Sequence, residues 1–232
     1  MDEKIIYYNK QGLIPGPDES EDSFFKRAEY CLAIKEKLID SKEGKFDSFD
    51  EVIKEANKET EKIYDITPDW VPLLYENHKL SFWHGGCAWI FQLEENAPIS
   101  ALLQLRKKYH FTKKYRNIIK RKEIIIHELA HVGRMAFEEP KYEEILAYRS
   151  SPSNFRAYFG AIAASSKETA IFVLILILIG LFDLFFVFTG HSEGYFESQW
   201  LKLIPISMII YGMVRVSIRQ KILNKCLKDR KS

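Results

Sequence analysis

At 232 residues the chain can bury one sizeable core, but it is short for two full globular domains once a membrane segment is subtracted. Its 34 Lys+Arg against 32 Asp+Glu leave a formal net charge of +2, so the overall balance excludes a strongly basic nucleic-acid binder. Cys31, Cys87 and Cys226 are odd in number and far apart, which excludes a disulfide framework and a cysteine-based zinc site and fits a reducing compartment.

Taken in chain order, Met1–Tyr8 mixes charges with few apolar residues and lacks the apolar core of a secretory signal. Residues 1–20, with Gly12, Pro15, Gly16 and Pro17, read as an irregular arm. Phe24, Phe25, Ala28, Cys31, Leu32, Lys35, Leu38 and Ile39 fall at helical spacing behind Ser20, Glu21 and Asp22, which predicts a first amphipathic helix. Ser48 with Glu51 forms a capping-box pattern, and Val52, Ile53, Ala56, Thr60 and Ile63 predict a second. Pro68 and Pro72 end helical structure, and the aromatic and aliphatic stretch Leu73–Leu105 predicts two or three short strands.

Tyr115, Ile118, Ile119, Lys122, Ile125, Ile126, Leu129 and Gly133 share a helical period, which predicts one long helix from near Thr112 to near Phe137. Pro140 suits the first turn of a further helix, Lys141–Arg149. Arg106–Lys122 holds 9 Lys or Arg in 17 residues, a run that fits a solvated face or a surface against anionic lipid.

The long helix contains His127-Glu128-Leu129-Ala130-His131. At about 3.6 residues per turn, side chains four apart share a face, so both imidazoles reach one metal while Glu128 stands beside its water as general base. A single Zn2+ wants three protein ligands and one open position, and the third must come from elsewhere. Glu143 and Glu144 on the next predicted helix are the acids on offer. Tyr148, Arg134, Tyr142 and His84 are candidate donors to an oxyanion, and Cys31 is either a latency switch or simply buried.

The pairing of HELAH with a downstream Glu-x-x-Ala resembles the gluzincin branch of zinc metallopeptidases, in which the acid of the second helix completes the site. The resemblance implies Glu144 as the third ligand, since Ala147 follows it by three, with Glu143 as the fallback. Tyr148 stands where those enzymes often carry Asp or Asn. The longer run HELAHVGRMAFEEPKYEEILAY also resembles a group of chlamydial membrane proteins with a soluble domain followed by a helical hairpin. The gluzincin likeness further implies an edge strand that pairs with an extended peptide, either Trp83–Phe91, where Gly85 and Gly86 let backbone approach, or Ile99–Leu105.

Thr169–Thr189 has one charge in 21 residues, long enough to cross the roughly 30 Å hydrocarbon layer, and Leu201–Ile218 is a second candidate interrupted by Lys202 and Arg215. The connection His191–Gln199 holds Glu193 and Glu197 and no Lys or Arg, whereas a basic tail follows Val214, so the positive-inside rule puts both termini in the cytoplasm. Asp183 needs a partner within the hairpin, Lys202 or Ser207. The expectation is an α+β, compact zincin-like catalytic domain over 1–150, a linker over 151–168, a two-helix transmembrane hairpin over 169–218 and a cytoplasmic tail over 219–232. Such a protein is expected to be a zinc metallopeptidase of the bacterial inner membrane, acting on protein or peptide substrates at the lipid bilayer, with no nucleic acid; the alternative is a non-catalytic two-span membrane adaptor or sensor in which the His-Glu-x-x-His helix is structural.

Overall fold

The computed structural model describes residues 3–40, 46–47, 50–81, 84–115, 119–137, 139–163 and 165–229. It divides into two units, residues 1–152 and 153–232. Ser48 of the expected capping box and Trp83 of one expected edge segment lie outside the described residues.

The first unit is α+β and mostly helical. It opens with α1 (Glu3–Lys10), where an irregular arm was expected. Ile5 and Ile6 make this a poor helix in isolation, and packing stabilises it: Tyr8 is buried edge-on against Phe24 while Lys4 pairs with Glu29 at 2.8 Å. The arm remains irregular after Gly12. α2 (Glu21–Asp40) starts where the Ser20 hydroxyl accepts the Ser23 N–H, and it buries Phe24, Ala28, Cys31 and Ile34 on one stripe. α3 (Asp50–Tyr64) buries Ile53, Ala56 and Thr60 at the expected spacing, and Ile63 faces outward.

A four-stranded mixed sheet follows, in the order β1 (Phe46–Asp47), β2 (Leu73–Tyr75), β4 (Ser100–Leu105), β3 (Gly86–Phe91). β2 runs parallel to β4, with Leu73 opposite Leu103, and β3 is antiparallel to β4, with Gly86 opposite Leu105 and Phe91 opposite Ser100. β4 is therefore paired on both sides and buried, which removes Ile99–Leu105 as an edge; β3 is the edge strand.

The single long helix expected from Thr112 to Phe137 is three elements. α4 (Lys108–Phe111) leads into a hairpin of β5 (Lys114–Tyr115) and β6 (Ile119–Lys120), and only then does α5 (Arg121–Val132) begin. Tyr115 and Ile119 are strand formers, and a helix there would crowd the Lys and Arg side chains on adjacent turns. After Gly133 the chain tightens into turns, with Arg134 N–H on His131 O and Met135 N–H on Val132 O. α6 (Pro140–Tyr148) has Pro140 in its first turn, as expected.

α5 lies against β3, α3 and α6. Ile125, Leu129 and Val132 are fully buried, each contributing about 2 kcal/mol of apolar burial. The two glycines expected to admit a peptide instead admit this helix: a Cβ on Gly86 would sit 2.8 Å from Ile124 Cγ2 and 2.6 Å from Leu105 Cδ2, and one on Gly85 would sit 2.4 Å from Ile124 Cδ1.

The second unit contains α7 (Asn154–Phe159), α8 (Ser166–Thr189), α9 (Ser192–Ser198) and α10 (Leu203–Asp229). The expected linker thus includes α7 and a 3-10 turn, Gly160–Ile162. Two stretches, Lys167–Thr189 and Ser192–Asp229, are long and apolar enough to cross a membrane. Ser165 caps α8 by accepting the Glu168 N–H, and Gly190 ends it at φ 70°, a left-handed position suited to glycine. Asp183 is met by Lys202 Nζ at 3.0 Å and by the Ser198 hydroxyl at 3.0 Å. Ser207, the other expected partner, instead donates to Ile204 O, one turn back on its own helix. Arg215 makes a forked pair with Glu168, at 2.8 and 2.7 Å, and donates to Ile162 O.

Candidate metal centre

α5 presents His127 and His131 on neighbouring turns, with Nε2 atoms 3.4 Å apart. α6 brings Glu144 across from them: Oε2 lies 3.5 Å from His127 Nε2, and Oε1 lies 3.5 Å from His131 Nε2. One ligand atom from each of the three lies within 4.8 Å of the others. Glu143, the neighbouring acid, is not in this group.

The spacing tests which ion the donors fit. Two ligands each about 2.0–2.1 Å from a tetrahedral zinc stand about 3.3–3.4 Å apart, whereas cis ligands of an octahedron at the same bond length stand about 2.9 Å apart. The 3.4 Å between the two Nε2 atoms fits the tetrahedral case, while the two 3.5 Å contacts of Glu144 run from different oxygens, one to each ring. The side chains of His127, His131 and Glu144 are 19%, 17% and 35% exposed, so the group is reachable from solvent.

The elements carrying these residues are held by polar ties. Tyr64 on α3 donates to Leu146 O of α6 at 2.6 Å, Ser151 donates to Glu123 at 2.9 Å, and Lys122 pairs with Glu59 at 3.2 Å. Burial pushes the Tyr64 phenol up to about 12, so it remains a donor at any ordinary pH.

Burial disfavours charge on both imidazoles. At His127 the hydrogen bond and charge of Glu144, with the charge of Glu128, outweigh it and raise the ring above its usual value. His131 has Glu144 in its favour, but His127 and Arg134 press on it, and it falls to about 4. Burial also opposes the Glu144 carboxylate, yet the His127 hydrogen bond and both rings hold it below the usual range. The cluster therefore concentrates attraction for one cationic species between two rings and a carboxylate.

Glu128 points toward the sheet. Its Oε2 accepts the Ala88 N–H of β3 at 2.8 Å, and burial raises its carboxyl despite that bond and the nearby His127. Cys87, next along β3, is pushed up to about 11, first by burial and then by the charges of Glu128 and Glu144, so it is a neutral thiol beside the site. Neither Ala88 nor Cys87 carries a sequence signal, because their place beside Glu128 depends on a backbone N–H and on the strand packed against α5.

Of the expected oxyanion donors, Tyr148 meets a ligand directly: its ring lies edge-on to the His127 imidazole, centroids 4.6 Å apart at 68°. His84 lies within electrostatic reach of Glu144 but is lowered by burial. Arg134 places its guanidinium 5.6 Å from the Phe137 ring, and Tyr142 lies in the first turn of α6 with its N–H on Glu139 O. Cys31 is fully buried on α2, donates to Ile99 O, and has its thiol pushed up to about 11 by burial, so it packs the core.

No family model, curated protein or solved structure matches this chain. The functional reading therefore stands on the residues and their geometry.

Proposed function

We propose that the protein is a membrane-anchored zinc metallopeptidase with a zincin-like catalytic unit, in which His127, His131 and Glu144 hold the ion and Glu128 is the general base. The observation that carries this reading is the convergence of His127, His131 and Glu144, one ligand atom of each within 4.8 Å of the others, with a carboxylate one residue from the first histidine. Zinc in this position would polarise the scissile carbonyl and make a water acidic near neutral pH, with a pKa of about 7.

The chain's own residues supply the remaining steps. Ala88 N–H fixes one oxygen of Glu128 and leaves the other to accept a proton from water as its oxygen adds to the carbonyl carbon. Glu128 then delivers that proton to the amide nitrogen, and the C–N bond breaks. A carboxyl raised by burial suits both halves of this exchange, since it holds the proton between them. In the antiparallel alternation of β3, residues 86, 88 and 90 turn their backbone groups to the outer edge. The Ala88 N–H is taken by Glu128, so an extended peptide would pair through its main chain with the other outward groups of this edge, which favours protein or peptide as the substrate class.

The two apolar helices cross a bacterial inner membrane as a hairpin, and the Lys- and Arg-rich tail keeps both termini cytoplasmic. Full-length protein in lipid discs tests the whole reading. It should hold one zinc per chain and hydrolyse a mixed peptide library, and Glu128→Gln should retain zinc while losing at least about a hundredfold in rate. Absent zinc, or equal hydrolysis by Glu128→Gln, would leave a non-catalytic membrane adaptor in which the motif is structural; iron or manganese in place of zinc would redirect the chemistry. Labelling of the exposed Cys226 from the periplasmic side of intact cells would reverse the orientation.

A further inference from the structure

The basic run Arg106–Lys122 takes no part in the metal centre, and the fold separates it into two sets. Three of its cations serve structure: Arg106 donates to the Ser81 and His84 carbonyls, Arg121 donates to Tyr109 O, and Lys122 pairs with Glu59. Lys107, Lys113 and Lys120 are exposed. Between them α4 puts Phe111 in solvent at 76% exposure, the most exposed large apolar side chain among the described residues of this unit. The β5–β6 register pairs position 114 with position 120.

We propose that this surface, Lys107 to Lys113 with Lys120, docks the first unit on anionic phospholipid of the membrane that anchors the chain. Exposed lysines around one protruding aromatic ring form an interfacial anchor: the ring enters the headgroup layer and the ammonium groups meet phosphate. A single ring is a poor platform for single-stranded nucleic acid, which is bound through several successive stacked bases. Each lysine near an anionic surface multiplies occupancy about fivefold. Docking holds the metal centre at the lipid surface and favours substrates that are themselves at the membrane. The inference rests on the membrane anchorage proposed above, and the test separates the two.

Full-length protein is reconstituted in discs of phosphatidylcholine with or without phosphatidylglycerol that carries a photoactivatable headgroup, and cross-linked peptides are mapped. The expected result is labelling at 107–113 in anionic discs that falls at least about tenfold at high salt and in Lys107→Glu/Lys113→Glu/Lys120→Glu. Phe111→Ser is expected to weaken it further without unfolding, since the ring is exposed. Cross-links on 169–189 are the internal standard: their persistence in every variant reports intact insertion, and their absence from the native chain would strike at anchorage instead. Unchanged labelling of 107–113 in the triple variant, none in the native chain, or protection of this segment by an oligonucleotide in neutral discs would overturn the proposal.

Discussion

Removal of the acid proposed to complete the metal centre gives the sharpest quantitative expectation. Glu144 is the only charged donor of the three and stands 3.5 Å from each ring nitrogen. A residue that merely orients a ligand is worth roughly 10–100-fold in metal affinity, so losing a direct anionic ligand in Glu144→Ala is expected to cost about 1,000-fold. With free zinc at about 1,000 times the native Kd, binding stabilises the folded unit by about 4.1 kcal/mol; in the variant the same zinc gives about 0.4 kcal/mol. For a unit of this size the difference is a loss of about 7–15 °C in the zinc-dependent rise of Tm. The assay is thermal unfolding of each variant with and without buffered zinc, alongside competition with a chelating indicator. Each protein is compared with its own metal-free form, so a change in baseline stability does not enter. Glu143→Ala, whose carboxyl is raised mainly by burial and lies outside the converging group, should stay within about twofold of native. A larger loss in Glu143→Ala than in Glu144→Ala, or an undiminished zinc effect in the latter, would refute the ligand assignment.

Two further outcomes follow from single contacts. Ala88→Pro removes the N–H that holds Glu128 but leaves an edge strand, where proline is tolerated; peptide hydrolysis should fall roughly 10–100-fold with zinc content unchanged, and an unaltered rate would show that the bond does not position the base. Glu19 accepts from the buried Arg27 and from Gly16 N–H, and although burial works against it, these bonds hold its carboxyl below the usual range. A depressed carboxyl contributes stability above its unfolded pKa, about 4.3, and loses it as pH falls through the folded value. Glu19→Gln should therefore lower Tm at pH 7 and converge on the native protein near pH 3; a gap that persists at pH 3 would assign the effect to packing.

Periodicity marked the helices whose stripes meet the core, namely Phe24 to Cys31, Ile53 to Thr60 and Ile125 to Leu129, though it passed over the buried Ile34 and Val132. It failed where a second rule competed. The Thr112–Lys120 segment continues the helical spacing of α5, but Tyr115 and Ile119 are better strand formers, and strand pairing prevails there. α1 was obscured by the glycines and prolines after it, because its stability comes from Tyr8 packing on α2 rather than from its own residues. The pairing of the two histidines was legible, since four-residue spacing is a property of one helix. Which acid of α6 lies with them depends on how α6 faces α5, and the residues alone left Glu143 and Glu144 open. Whether β3 or β4 forms the edge depends on pairing between distant segments, which no local pattern encodes. The Ser198 partner of Asp183 was missed because it depends on how α9 folds back on α8.

The twelve residues of α5 interleave His127 and His131 with Ile125, Leu129 and Val132, which are wholly enclosed. The two rings consequently have no hinge of their own, and loosening the interior anywhere along this helix spreads them apart. For the proposed zinc site this means that metal release and melting would share one midpoint, chelation would act as a mild denaturant, and an alteration at Leu129 would be felt first as lost occupancy.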